Sequence, residues 1–408
     1  MSPSKLIIPA IILFILNPFI SIVLLGILLA IDKTIDKKFY YIFYLLLAFF
    51  LGFINMTKVP ESDLGFHASK YLYVSQYSFL DYLSWFEKEP VFYAFNYIFY
   101  YISGGSVKFW VFVITVFPYF ILFISLDKFH SKVNVNKRYI LFSIVLAAFF
   151  PQLFSLSAHL IRQFIAGAII VYFLVDKLIY GNNKWWLAIL GVLIHSTSIL
   201  IFPLAYLSFL KEKLGKGNIV YFVGLIFILF TYQYFAQLLL PYFTGIESIH
   251  YILERASVDN TFELEKFSAL NYVFIGVLLV ITLYNQYKEE LDINITGFNH
   301  LANIILLFVI FILMNLRQTE LALRLFFYLF FFFPLIVPLV LKKNPFDKKF
   351  SFASVSISII LFFFYRLDTG TWNYDDKEKI VLSSSFDFLS RPEPVVYDYT
   401  RYSEADAQ

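Results

Sequence analysis

A chain of 408 residues that is 60% hydrophobic and 21% aromatic carries more apolar sequence, in longer runs, than the core of a soluble domain can absorb. Its net charge of +3 is small, and the basic residues lie scattered through short loops without forming a stripe, so no nucleic-acid partner is expected. Cysteine is absent, which excludes disulfides, thiolate metal sites and thiol nucleophiles together.

The expected fold is all-α, a polytopic integral membrane protein of about 10–12 transmembrane helices, some broken or re-entrant, because each crossing needs roughly 20 predominantly apolar residues. A β-barrel would show short alternating segments instead. In chain order the spans are expected at Leu6 to Ile31, Phe39 to Thr57, Val107 to Leu126, Tyr139 to Leu156, Ile161 to Ile179, Ile219 to Leu240, Ala269 to Tyr284, Leu301 to Leu316, Leu321 to Leu341 and Phe350 to Tyr365. The first run lacks a small-residue cleavage site and reads as a retained anchor. Its Pro9 and Asn17-Pro18-Phe19 suggest two half-helices.

Two segments are irregular. Val91 to Ile102, "VFYAFNYIFYYI", is too short to cross and ends at Ser-Gly-Gly, so it reads as a re-entrant or interfacial helix. Trp185 to Leu207 carries His195-Ser196-Thr197-Ser198 at its centre, an expensive position if the run crosses once. A helical hairpin turning at His195 avoids that cost and lets 17 of the 32 basic residues share one side, in short loops between Lys33 and Lys349. That side is expected to be cytoplasmic. The domain reading is a single transmembrane domain over residues 1–365, with external loops 58–90 and 242–268, and a polar external tail over 366–408.

Four polar clusters point to the external face. Asp63, His67, Lys70 and Tyr71 fall at spacings of three to four and share a helical face; an amphipathic surface helix is the plainer alternative. Glu87 and Glu89, ahead of the re-entrant segment, read equally well as a solvated loop. His159, Arg162 and Gln163 head a span in which Ala166, Gly167 and Ala168 permit close packing, although an arginine at a helix end can also snorkel. His195 among hydroxyls suits proton transfer or a histidine satisfied by its neighbours. Arg317, Glu320 and Arg324 share one face, either as an ion cluster or as part of a cationic cavity. Arg162, Arg317 and Arg324 converging on one cavity would suit a lipid phosphate or diphosphate, which guanidinium binds bidentately. No P-loop, HExxH or Cys/His cluster is present, so no metal or cofactor is required.

These residues carry a resemblance. Asp63 and Tyr71 in the first long loop, "EPVFYAF", "HLIRQFIAGAI", "LIHSTSILIFPLAYL" and "LRLFFYLFFFFPLIVPL" run in order over Leu51 to Leu341, and the chain resembles the EpsG/Wzy family of bacterial polysaccharide polymerases. The resemblance implies a metal-independent glycosyltransferase of the wider GT-C type in the bacterial cytoplasmic membrane. It would join oligosaccharide repeat units carried on undecaprenyl diphosphate at the outer face, for O-antigen, capsule or exopolysaccharide. It carries over Arg162, His195, Arg324, Asp63 and Glu89. A partner that regulates chain length is implied by the resemblance alone.

On this reading His195, Asp63, Glu89 and Glu320 are the candidate catalytic residues, and Arg162, Gln163, Arg317 and Arg324 hold the departing diphosphate. His67, Tyr71 and His159 are candidate sugar contacts, with the other tyrosines of residues 71–82 either stacking on sugars or forming an interfacial belt. The partners are the lipid-linked donor and acceptor and the membrane lipids. Three competitors remain open: a transferase using a sugar on a lipid monophosphate, a flippase or transporter built on broken helices, and a membrane acyltransferase acting on surface glycans.

Overall fold

The computed structural model describes residues 4–31, 35–85, 89–213, 215, 218–245, 249–250, 253–254, 257, 268–287, 296–314, 319–341, 359, 362 and 379–396. Among them there is no β-strand. Asn17 divides the first apolar run into α1 (Ser4–Leu16) and α2 (Pro18–Ile31), its side-chain oxygen accepting from Ile20 N at 2.9 Å. The two half-helices expected from Asn17-Pro18 are present.

Helix α3 (Lys37–Asn55) starts under an Asp36 cap and packs along α7 (Val107–Lys132). Gly52 makes that approach possible: a Cβ there would lie 2.7 Å from Val116 and 2.8 Å from Phe112. Between these spans, the stretch expected to be an external loop folds into α4 (Ser62–Leu72) and α5 (Phe79–Trp85), followed by α6 (Pro90–Ser103). Helix α6 matches the short helix expected at Val91 to Ile102.

The span expected at Tyr139 to Leu156 is not one straight helix. It is α8 (Lys137–Phe149) and α9 (Pro151–His159), bent by 51° at Phe150, because Pro151 has no N–H and restricts the residue before it. Helix α10 (Ile161–Leu174) then ends in a π-turn, Val175–Ile179. Gly167 sets α10 against a later helix, since a Cβ would stand 2.6 Å from the Phe331 ring.

Helix α11 (Trp185–Ile194) stops at His195, and 3-10 turns continue to Lys211. Backbone groups left without regular helical partners must find hydrogen bonds elsewhere. His300 Nε2 meets the Leu204 carbonyl at 2.7 Å, and Asn303 Nδ2 donates to the carbonyls of Leu210 and Glu212, each at 2.8 Å. The remaining helices are α12 (Ile219–Leu239), α13 (Ala269–Tyr287), α14 (Thr296–Met314), α15 (Thr319–Leu341) and the short α16 (Ser385–Ser390). The expected span Phe350 to Tyr365 lies outside the described residues apart from Ile359 and Phe362.

Five of these helices are long and apolar enough to cross a membrane, or seven if each bent pair is one span, among the described residues. The chain is a multi-pass α-helical membrane protein. Its interior is closed by aromatic packing, and the exposed faces of α1, α2 and α12 are rich in Ile, Leu and Val, as lipid contact allows. Within the stretch expected to be a polar tail, residues 379–396 dock on the helices. Phe388 stacks on Phe53 at 5.3 Å, and Glu393 accepts from Ser106 Oγ and Lys108 N at the start of α7.

Candidate active site

Two carboxylates, two imidazoles and a guanidinium meet where α4, α6, α10 and the end of α11 come together. Arg162 stands in the first turn of α10, where the helix dipole disfavours a cation. Its partners compensate: Nη1 donates to Glu89 Oε2, and Nη2 lies 3.9 Å from Asp63 Oδ1. The other Glu89 oxygen accepts from His195 Nδ1 at 2.7 Å and from Ser196 N at 3.4 Å. On α4, His67 Nε2 faces Asp63 Oδ1 at 3.4 Å, one turn away. The chain of contacts therefore runs His67, Asp63, Arg162, Glu89, His195, with the arginine bridging two histidine–carboxylate pairs.

The backbone is shaped to present these acids. Ser62, just before Asp63, has φ of 55°, and Glu89 has φ of 92°. A non-glycine residue in the left-handed region costs on the order of 1–3 kcal/mol and persists only where its surroundings fix it. For Glu89 the fixing contacts are Arg162, His195 and the N-terminus of α6, where Pro90 starts the helix and the dipole favours an anion.

Burial sets the charges. It would raise the Glu89 carboxyl, but the His195 hydrogen bond and the Arg162 charge hold it below the ordinary range. Burial acts the same way on Asp63, and His67, Arg162 and Arg324 together hold it down at about 2. The fully buried His67 ring is pushed down to about 4 by desolvation and by Arg162, against the pull of Asp63. At pH 7 it faces Asp63 as a neutral dipole.

Helix α15 supplies the far wall. Gln163 Nε2 donates to the backbone carbonyl of Arg324, and the Arg324 charge acts on Asp63 and His195. One turn on, the Tyr328 hydroxyl meets Ser198 Oγ at 2.8 Å and Thr197 Oγ1 at 3.3 Å. The hydroxyl run beside His195 is thus pinned to the helix that carries Arg324.

The expected site residues separate into groups. Asp63, His67, Glu89, Arg162, Gln163, His195 and Arg324 come together. Tyr71 points elsewhere: its ring stacks on Trp110 at 5.0 Å, its hydroxyl pairs with Ser103 Oγ, and it is buried. His159 ends α9, three residues before Arg162. Arg317 and the side chain of Glu320 lie outside the described residues. Tyr93 and Tyr328 were not expected as site residues, although Tyr328 is the tyrosine four places after Arg324. Among the described residues no three of His, Asp and Glu are placed to hold one metal ion.

Of the two imidazoles, His195 is the one within close hydrogen-bond distance of a carboxylate. A carboxylate cannot donate, so His195 Nδ1 carries the proton it shares with Glu89 and Nε2 keeps a lone pair. Nε2 is buried and has no hydrogen-bond partner among the described residues. A model of the EpsG family matches residues 41–378, a range that contains the whole cluster. No curated protein and no solved structure was found to match the chain.

Proposed function

The chain belongs to the EpsG family, and on that premise we propose that it joins undecaprenyl-diphosphate-linked oligosaccharide repeat units at the external face of the cytoplasmic membrane. Membership itself points to polysaccharide-polymerase-type function by a glycosyltransferase-like enzyme in the membrane. The lipid carrier, the face and the residue roles are our reading.

The observation that supports it best is the Glu89–His195 pair, whose Nε2 has no hydrogen-bond partner among the described residues. In the proposed step, Nε2 takes the proton of an acceptor hydroxyl, and that oxygen bonds to the anomeric carbon of the donor. The bond from that carbon to the diphosphate oxygen breaks, and its electron pair leaves with the lipid diphosphate. Charge grows on the leaving group as the bond breaks, so a fixed cation binds the transition state better than the ground state. Arg324 is our choice for that cation, with Gln163 holding its backbone. Arg162 orients Glu89, since both of its terminal nitrogens face carboxylates.

The test uses purified protein in liposomes supplied with undecaprenyl-diphosphate-linked repeat units. A ladder of extended products is expected, together with no extension of single sugars on a lipid monophosphate. Movement of the lipid-linked glycan across the bilayer without extension would overturn the proposal in favour of transport.

A further inference from the structure

Lys70 lies seven residues after Asp63 and three after His67, so all three share one face of α4. Its Nζ sits 3.9 Å from the centre of the Phe66 ring and 3.5 Å from the Tyr93 hydroxyl. The Tyr82 hydroxyl on α5 donates to its backbone carbonyl at 3.0 Å. An aromatic face attracts an ammonium without neutralising it. The side chain is therefore held at the rim of the cluster.

We propose that Lys70 contacts the diphosphate of the lipid-linked substrate, seated for that purpose by Phe66 and Tyr93. This rests on the reading above, in which the donor leaves as a lipid diphosphate. Arg162 is the more obvious anion ligand, but Glu89 and Asp63 occupy its terminal nitrogens. Counted with neutral imidazoles, Asp63 and Glu89 balance Arg162 and Arg324, so the four together carry no net charge. Among these described groups, a protonated Lys70 adds one positive charge to that balance.

Among the described residues, the groups facing Lys70 are Asp63 and His67 on its own helix, Glu89 just ahead of α6, Tyr93 on α6, Tyr82 on α5 and Arg162 on α10, with His159 ending the α9 helix packed against α4. Burial and the Arg162 charge bring the ammonium down to about 7, while Asp63 and Glu89 oppose them. A diphosphate arriving beside it favours the charged form. Binding near pH 7 then takes up protons.

The experiment is calorimetric titration of the full chain in nanodiscs with undecaprenyl diphosphate, and separately with inorganic diphosphate, at pH 7 in two buffers of different ionisation enthalpy. Wild type is expected to take up protons on binding. Lys70→Arg, which stays charged, should bind within about threefold of wild type but lose the uptake, and Lys70→Gln should bind about tenfold more weakly. Unchanged affinity and uptake in Lys70→Gln overturn the proposal, as does failure of wild type to bind either diphosphate. Should Lys70→Gln not fold, retained uptake in Lys70→Arg overturns it alone. Binding with uptake by a wild-type protein that makes no polymer removes the polymerase reading and leaves Lys70 standing; polymerisation that Lys70→Gln leaves untouched removes Lys70 alone.

Discussion

Glu89 and His195 are 106 residues apart in the chain and 2.7 Å apart in space, with the carboxylate accepting the Nδ1 proton. That bond fixes the tautomer that leaves Nε2 basic. Glu89→Gln keeps the shape but can donate, and so favours the opposite tautomer. Expected is a loss of roughly 10²- to 10⁴-fold in kcat with little change in KM, matched by His195→Ala. The measurement is the initial rate of repeat-unit joining in liposomes. A Glu89→Gln enzyme within a few-fold of wild type would remove the dyad from the mechanism.

Arg162 bridges two carboxylates, so its loss leaves two acids facing each other. Removing one partner of a buried pair typically costs about 3–5 kcal/mol. Arg162→Ala is expected to lower both thermal stability and activity, and Arg162→Lys to rescue neither fully, since an ammonium cannot reproduce the forked geometry. Thermal unfolding in detergent together with the joining rate reads this out. A variant with wild-type melting and a raised KM for the donor would instead make Arg162 a direct substrate ligand.

Much of this site is legible in the chain. A cation heading an apolar helix, a histidine amid hydroxyls inside a membrane run, and the small residues around Gly167 each break a pattern that lipid would otherwise impose. What hydropathy does not carry is direction. It reads Tyr139 to Leu156 as one crossing, because a window of apolar residues has the same mean whether the helix runs straight or bends at Pro151. Nor does spacing separate Tyr71 from Lys70 on α4: the first stacks on Trp110 and the second reaches the Tyr93 hydroxyl. The pairing of Glu89 with Arg162 and His195 depends on a left-handed residue and on tertiary packing, and no local pattern encodes it.

Acid should inactivate the protein in two stages. Burial depresses His67 from an ordinary value of 6.5 to about 4, so below pH 6.5 the unfolded chain binds a proton that the folded chain refuses. Stability present above pH 6.5 falls by on the order of 3 kcal/mol as the pH drops through 4. Asp63, held down at about 2 by its cationic neighbours against burial, contributes stability above its ordinary 3.8 that is lost between about 4 and 2. Melting temperature against pH should therefore slope downward from 6.5 in wild type. In His67→Phe the slope between 6.5 and 4 should flatten; an unchanged slope would place the titration elsewhere.

Helix α15 tests whether buried polar groups repair a proline. Pro338 has no N–H, so the Pro334 carbonyl four residues earlier lacks its helical donor. Ser143 Oγ on α8 donates to that carbonyl at 2.6 Å, and His130 Nε2 on α7 lies 3.2 Å from it. Removing the hydroxyl leaves a buried acceptor poorly satisfied, and Ser143→Ala is expected to cost about 1–3 kcal/mol. In a Pro338→Ala background the helix regains its own donor, so the same substitution should cost clearly less. The double-mutant cycle, measured by unfolding in detergent, should show a coupling of about 0.5–3 kcal/mol. Equal costs in both backgrounds would mean that Ser143 contributes by packing, and that the Pro334 carbonyl is satisfied without it.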